Sequence, residues 1–202
     1  MKHILYVGSE SQSRRKLLEE AQIPFVLATH SADETKCDWS GSLRETVERI
    51  ALYKMEHIVL PSGKKEGDIC FALTADTLSQ SLDGSLRGKP IDKADAIEKI
   101  KLSRGGATVG TAFCLDKKVY RSDKWIGSKR ITQYVDAKYE FDVPDEWIDT
   151  YLKKSFGLRA SGAIAIEEYG QQFLKWIDGS YSTIVGLPMF ELREALEKLG
   201  FF

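Results

Sequence analysis

The segment Ser9-Glu10-Ser11-Gln12-Ser13-Arg14-Arg15 gathers hydroxyls and guanidinium groups where a short apolar run gives way to a helical pattern. Free backbone N–H groups at a helix start, with hydroxyls and an arginine beside them, suit an anion such as phosphate. Serines also cap helices with no ligand present, so the pattern leaves both readings open. Lys54 is a second candidate: it follows Val47 by seven residues, Ile50 by four and Ala51 by three, which puts it on the apolar stripe of its helix. A lysine there needs an anion or must snorkel along the edge of the stripe. The third is Asp76, which is expected to close a buried strand over residues 69–75. Ligands of open α/β sheets bind at such strand ends, although an aspartate can equally cap a turn there. Arg87-Gly88-Lys89-Pro90 is expected to bring a second lysine back toward Asp76, and Glu34 offers another carboxylate from a loop. Two carboxylates with Lys and Arg suit a Mg²⁺-assisted attack on a phosphate chain: the carboxylates hold metal or activate water, and the cations hold the phosphates.

The elements that must position these groups follow from periodicity. Residues 3–7 read as a short buried strand and 14–21 as a helix, with Leu17, Leu18 and Ala21 at helical spacing. A second strand is expected at 25–28 and a polar loop at 31–41. Ser42 with Glu45 forms a capping-box pattern that opens a helix to about residue 60. Asp83-Gly84 marks a tight turn between two short strands, and Asp92 caps a helix to 102 closed by Gly105-Gly106. Long β-like runs are expected at 108–115 and 131–141, and a helix begins at Pro144. Residues 163–166 and 172–177 read as strands, and a helix over 188–199 stops at Gly200. Helices and strands alternate early and strands dominate later, which predicts an α/β fold around a mixed, elongated sheet.

Composition excludes several classes. The 202 residues carry 29 Lys plus Arg against 30 Asp plus Glu, a net charge of −1 that argues against nucleic acid as a partner. No apolar run approaches the roughly 20 residues of a membrane span, and no cleavable signal pattern stands at the start, so a soluble cytoplasmic protein is expected. Cys37, Cys70 and Cys114 are widely spaced and fit a reducing compartment. His3, His30 and His57 lack metal-ligand spacing, and neither a GxSxG elbow nor a GxxxxGK[ST] loop occurs.

Taken in order, Ser9-x-Ser11-x-x-Arg14 with Leu17-Leu18, Asp33-Glu34, Lys54, Ala75-Asp76-Thr77, Asp83-Gly84, Gly88-Lys89-Pro90, Leu102-Ser103 and Gly179-Ser180-Tyr181-Ser182-x-x-Val185-Gly186-Leu187-Pro188 resemble the Maf family over essentially the whole chain. The resemblance implies an inosine-triphosphatase-like fold: one domain over 1–202, with an elongated mixed sheet, flanking helices and two lobes around an active-site cleft. It implies a house-cleaning pyrophosphatase that splits a nucleoside triphosphate into monophosphate and pyrophosphate with Mg²⁺ or Mn²⁺, and a homodimer. Carried over by position, Asp76 is the general base, Lys54 and Lys89 act with it, and Ser9, Ser11 and Arg14 hold the phosphates. Glu34 and Asp76 would serve the metal.

Base specificity falls to Ser13, Thr77 and Glu167, and here the chain departs from the family's patterns. Relatives preferring dTTP and UTP usually read Ser-x-Ser-Pro-Arg-Arg, whereas Gln12 and Ser13 occupy the Pro and first Arg places. The 7-methyl-GTP subgroup usually has Trp where Ser13 stands. Thr77 resembles the dTTP/UTP group, while Glu167 resembles the 7-methyl-GTP group. Ala160 lies where a lysine is usual, with Arg159 beside it, and Ala107 replaces a frequent histidine. The resemblance therefore implies hydrolysis with dTTP/UTP slightly favoured, 7-methyl-GTP as the alternative base, and a nucleotide-binding regulator of septum formation with little turnover as the alternative class.

Overall fold

The computed structural model describes residues 3–62 and 64–202, the side chain of Thr35 excepted. A seven-stranded sheet runs in the order β2-β1-β3-β5-β6-β7, with β4 paired to β3. The strands are β1 (Leu5–Gly8), β2 (Phe25–Ala28), β3 (Ile69–Ser81), β4 (Leu86–Arg87), β5 (Ala107–Arg121), β6 (Lys124–Phe141) and β7 (Leu174–Asp178). The helices are α1 (Gln12–Glu20), α2 (Leu43–Glu56), α3 (Lys93–Leu102), α4 (Asp145–Lys154), α5 (Tyr181–Val185) and α6 (Met189–Leu199). The sheet is mixed: β1 is parallel to both β2 and β3, whereas β3 with β4 and β6 with β7 are antiparallel. This is the expected fold class.

Backbone contacts divide the chain into two compact units. The first takes the residues up to Asp76, then Ala112–Tyr134 and Gly186–Phe202; the second takes Thr77–Thr111 and Val135–Val185. The core of the first is built on Leu5, Leu18, Val47, Phe71, Phe113 and Phe201, all fully buried, with the Phe71 and Phe201 rings meeting edge-on at 5.2 Å. The second unit's core gathers Ile100, Tyr139, Phe141, Ile148, Tyr151 and Phe173. Local signals set the ends of several elements. Ser42 and Glu45 close a reciprocal capping box, Asp92 accepts from the Asp95 amide, and Gly200 takes the left-handed conformation that ends α6.

The structure departs from the periodicity reading in four places. Strand β3 does not end at Asp76 but continues to Ser81, so Asp76 lies inside a strand. Three of its buried or half-buried hydroxyls are paired, Thr74 with the Ala51 carbonyl, Thr77 with Thr111 and Ser79 with Tyr139, which offsets much of the cost of burying its polar half. Residues 163–166 are not a strand. There the Tyr151 hydroxyl accepts from the Ala165 amide and donates to the Ala163 carbonyl, doing the work of a neighbouring strand. Helix α2 stops at Glu56 rather than near 60, because the following chain turns to pair with the segment after β2 through Ser31 N to His57 O and Val59 N to Thr29 O. Finally, β5 and β6 extend through the charged stretch 116–130 and join at Ser122 and Asp123, both at positive φ, as a two-residue hairpin turn requires.

Candidate active site

Lys54 and Asp76 meet because two periodicities coincide. On α2, Val47, Ile50, Ala51 and Lys54 share the buried face. On β3, Thr74 and Asp76 share a face by alternation, and Thr74 Oγ1 donates to the Ala51 carbonyl at 2.7 Å. With that bond fixed, three residues along the helix and two along the strand bring Lys54 Nζ to 2.8 Å from Asp76 Oδ1. Both groups are buried. Glu34, in the short 3₁₀ turn Glu34–Lys36, reaches the same ammonium at 3.0 Å from its more exposed position. One cation therefore bridges two carboxylates, and in the buried Lys54–Asp76 pair each charge offsets the cost of burying the other.

The serine and arginine groups form a cradle at the start of α1. Gly8 ends β1 in close contact with β3: a Cβ there would lie 3.0 Å from Thr74 Cγ2 and 3.1 Å from Ile58 Cδ1. Ser9 Oγ then accepts from the Ser11 amide at 3.3 Å and from Arg14 Nη1 at 3.1 Å. Ser11 is the N-cap, its hydroxyl accepting from the Arg14 amide at 3.3 Å. The Arg14 side chain is buried and donates Nε to the Gly186 carbonyl at 2.7 Å. Burial pushes the Arg14 pKa down, while the nearby charges of Asp76 and Glu34 push it up. The cradle and the carboxylate pair thus share one electrostatic neighbourhood within the first unit.

Two neighbours complete the picture. Burial, then the Lys54 charge, lower the His30 pKa below 6.5, so its imidazole is neutral at neutral pH. Burial, then Glu34 and Asp76, raise the Cys37 thiol above its ordinary value, which keeps it protonated and a poor nucleophile.

Of the sequence-derived candidates, Ser9, Ser11, Arg14, Glu34, Lys54 and Asp76 come together. Ser13 is partly buried on α1 of the same unit. Lys89, Thr77 and Glu167 belong to the second unit. There Lys89 is exposed with its carbonyl accepting from Lys99 Nζ at 3.2 Å, Glu167 is buried, and Thr77 Oγ1 lies 3.0 Å from Thr111 Oγ1. Sequence reasoning missed the carbonyl of Gly186 as the holder of Arg14, because a backbone acceptor leaves no side-chain signal.

A divalent cation can be tested against this donor set. No three His, Cys, Asp or Glu side chains converge among the described residues, so no closed metal cage is built. Asp76 and Glu34 nonetheless give two hard oxygen ligands within reach of one cation. That suits Mg²⁺, which is usually bound by one or two carboxylates together with substrate phosphates and water.

Comparison with known proteins gives a consistent picture. The profile of a family described as Maf-like protein matches residues 4–199. A nucleoside triphosphate pyrophosphatase of Prochlorococcus marinus is 31% identical over 205 residues, covering 98% of either chain. A dTTP/UTP pyrophosphatase of Clostridium botulinum is 33% identical over 202 residues, with 98% of this chain and 99% of the relative aligned. Another protein of that description, from Ruminiclostridium cellulolyticum, is 31% identical over 201 residues, covering 97% of this chain and 96% of its own.

Proposed function

The chain belongs to the Maf-like family, and from that premise we propose that it is a nucleoside triphosphate pyrophosphatase, releasing a nucleoside monophosphate and pyrophosphate. The observation that carries the reading is the buried Lys54 ammonium joining Asp76 and Glu34 beside the Ser9–Ser11–Arg14 cradle. A phosphate chain needs cations and amide donors, and a water attacking phosphorus needs a base; this cluster supplies both.

In the proposed mechanism Asp76 accepts the proton of the attacking water. The new bond forms between that oxygen and the α-phosphorus, and the bond from the α-phosphorus to the oxygen bridging to the β-phosphate breaks. Negative charge grows on the departing pyrophosphate, where Arg14, Lys54 and Lys89 would offset it. Lys54, held 2.8 Å from Asp76, fixes the orientation of that carboxylate. Ser9 and Ser11, with the free amides at the start of α1, bind phosphate oxygens. A bound Mg²⁺ or Mn²⁺, held by Asp76 and Glu34, would supply further charge neutralisation on the phosphate oxygens.

Ser13, Thr77 and Glu167 are assigned to the base. Thr77, together with relatives named dTTP/UTP pyrophosphatase, supports a preference for uracil and thymine nucleotides. The reading extends to a cytoplasmic homodimer that takes neither nucleic acid nor membrane as partner. Among the described residues no helix is long and apolar enough to cross a membrane.

The test is to incubate the purified protein with Mg²⁺ and a panel of UTP, dTTP, CTP, GTP, 7-methyl-GTP and ITP, and to separate the products. Monophosphate and pyrophosphate in equal amounts are expected. Orthophosphate with a diphosphate, or binding without turnover across the panel, would overturn the proposal, the latter in favour of a regulatory nucleotide binder.

A further inference from the structure

His30 belongs to the first unit and takes no part in the chemistry assigned so far. The register that pairs Gly8 with Ala28 carries β1 and β2 off the same edge of the sheet. Ser9 enters the cradle from there, and His30 follows Ala28 by two residues, which gives it the face of Gly8 and Ala28 by strand alternation. That face is the one that holds the Lys54–Asp76 pair. A Cβ on Gly8 would meet Thr74 Cγ2 at 3.0 Å and Ile58 Cδ1 at 3.1 Å, and His30 forms an antiparallel bridge with that same Ile58. The charges around the ring agree with this placement: Lys54 and His57 from the end of α2, Glu34 from the 3₁₀ turn, and Glu10 from the loop before α1.

The two ring nitrogens are not equivalent. His30 is half-buried, and its Nδ1 is buried with no hydrogen-bond partner among the described residues. An imidazolium needs an acceptor at both nitrogens, so charging the ring would leave a buried N–H without one. The neutral ring has one proton to place. On Nδ1 it would create the same orphaned N–H, whereas on Nε2 it leaves only a lone pair unmet inside the protein, the less costly choice. Burial first, and then the Lys54 charge, lower the pKa in the same sense. The ring is therefore an uncharged donor, with its N–H at Nε2.

We propose that His30 is a phosphate-binding residue whose Nε2–H donates to an oxygen on the pyrophosphate portion of the nucleotide, beside Lys54 and the Ser9–Ser11–Arg14 cradle. This inference rests on the pyrophosphatase reading, in which that cradle and Lys54 meet the phosphate chain. A neutral donor adds direction to the grip without adding charge. An imidazolium there would repel Lys54 and compete with it for Glu34, while the neutral ring leaves the bonds of Lys54 to Asp76 and Glu34 undisturbed.

Titration calorimetry of the full chain with pyrophosphate and Mg²⁺ tests the contact without turnover. His30→Leu should weaken binding about tenfold, since a hydrogen bond to a charged acceptor is lost. Glutamine places its amide N–H near the Nε2 position and asparagine near the Nδ1 position. His30→Gln should therefore restore most of the affinity and His30→Asn should not; if His30→Leu does not fold, His30→Asn reads the same loss. The loss should be equal at about pH 7 and about pH 8, as a neutral donor requires. A loss present at the lower pH and gone at the higher would mark an imidazolium and overturn the assignment, as would an Nδ1 proton seen by NMR of the imidazole nitrogens. The KM for UTP should rank the four proteins in the same order. Unchanged affinity and KM in the variants overturn the inference while leaving the pyrophosphatase reading intact. Wild-type protein that hydrolyses no triphosphate overturns both.

Discussion

Two buried aspartates of the first unit show how differently one residue type can be used. Asp116 on β5 is 1% exposed, and both its oxygens are engaged: Arg130 donates Nε to Oδ1 at 2.7 Å and Nη2 to Oδ2 at 2.8 Å, and Lys118 adds a contact at 3.0 Å. Asp76 on β3 is 8% exposed, and among the described residues its paired oxygen is Oδ1, bound to Lys54. Burial pushes the Asp116 pKa up, but Arg130 and Lys118 outweigh it and hold the carboxyl below its ordinary 3.8. A carboxylate clamped on both oxygens by a planar guanidinium is a structural joint, with no lone pair placed for a reacting water. Asp76 is instead held at Oδ1 by a single compact ammonium. Buried charge alone thus does not distinguish the two aspartates, whereas the degree to which their oxygens are saturated does.

The sharpest way to break this comparison is a pair of matched substitutions. Asp76→Asn should lower kcat by about 10³-fold or more, with a smaller loss of melting temperature than Asp116→Asn because Lys54 keeps Glu34 as a partner; steady-state kinetics and thermal unfolding on one sample check both halves. Asp116→Asn should do the reverse, costing about 3 kcal/mol in urea unfolding and changing kcat by less than about twofold. The Asp116 contribution also carries a pH signature. Because its folded pKa is depressed, its stabilisation is fully present above the unfolded value near 3.8 and is lost as pH falls through the lower folded value. Asp116→Asn should flatten that acid limb of the stability profile.

A smaller effect is expected from Tyr151→Phe in the second unit. It strips the Ala165 amide and the Ala163 carbonyl of their partner and should cost about 2 kcal/mol by denaturant titration. The smallest is Ser11→Ala, which removes the cap of α1 for about 1 kcal/mol of stability. As a phosphate contact is lost with it, KM should rise several-fold with little change in kcat.

The sequence carried the site's ingredients better than the segments that connect them. Lys54 was legible because a charge on an apolar stripe violates the pattern around it, and a capping box announced the helix that bears it. The Ser9–Arg14 cradle was legible from its place between strand and helix. Asp76 was legible as a residue but not in its setting: periodicity ended the strand at the first charge, since only tertiary pairing of Thr77 and Ser79 shows that polar residues can continue inside a sheet. Residues 163–166 misled for the converse reason, an apolar run whose Ala165 amide is met by the Tyr151 hydroxyl and whose Ala163 and Ile164 amides are met by local turn carbonyls rather than by a strand. The charged arm of β5 and β6 carried no readable period because, over that stretch, much of both faces of β6 is solvated.

Strand β3, with a neighbour on either side in the sheet, has one more consequence, and it concerns time rather than geometry. The backbone around Asp76 sits among the most deeply buried residues of the chain. Its amides should therefore exchange with deuterium only in openings that approach global unfolding, unlike the frayed segments where reactive groups are often found. Turnover that depends on motion must then draw it from elsewhere, and the 31–41 loop, exposed along much of its length, is the segment whose exchange should quicken or slow when nucleotide binds.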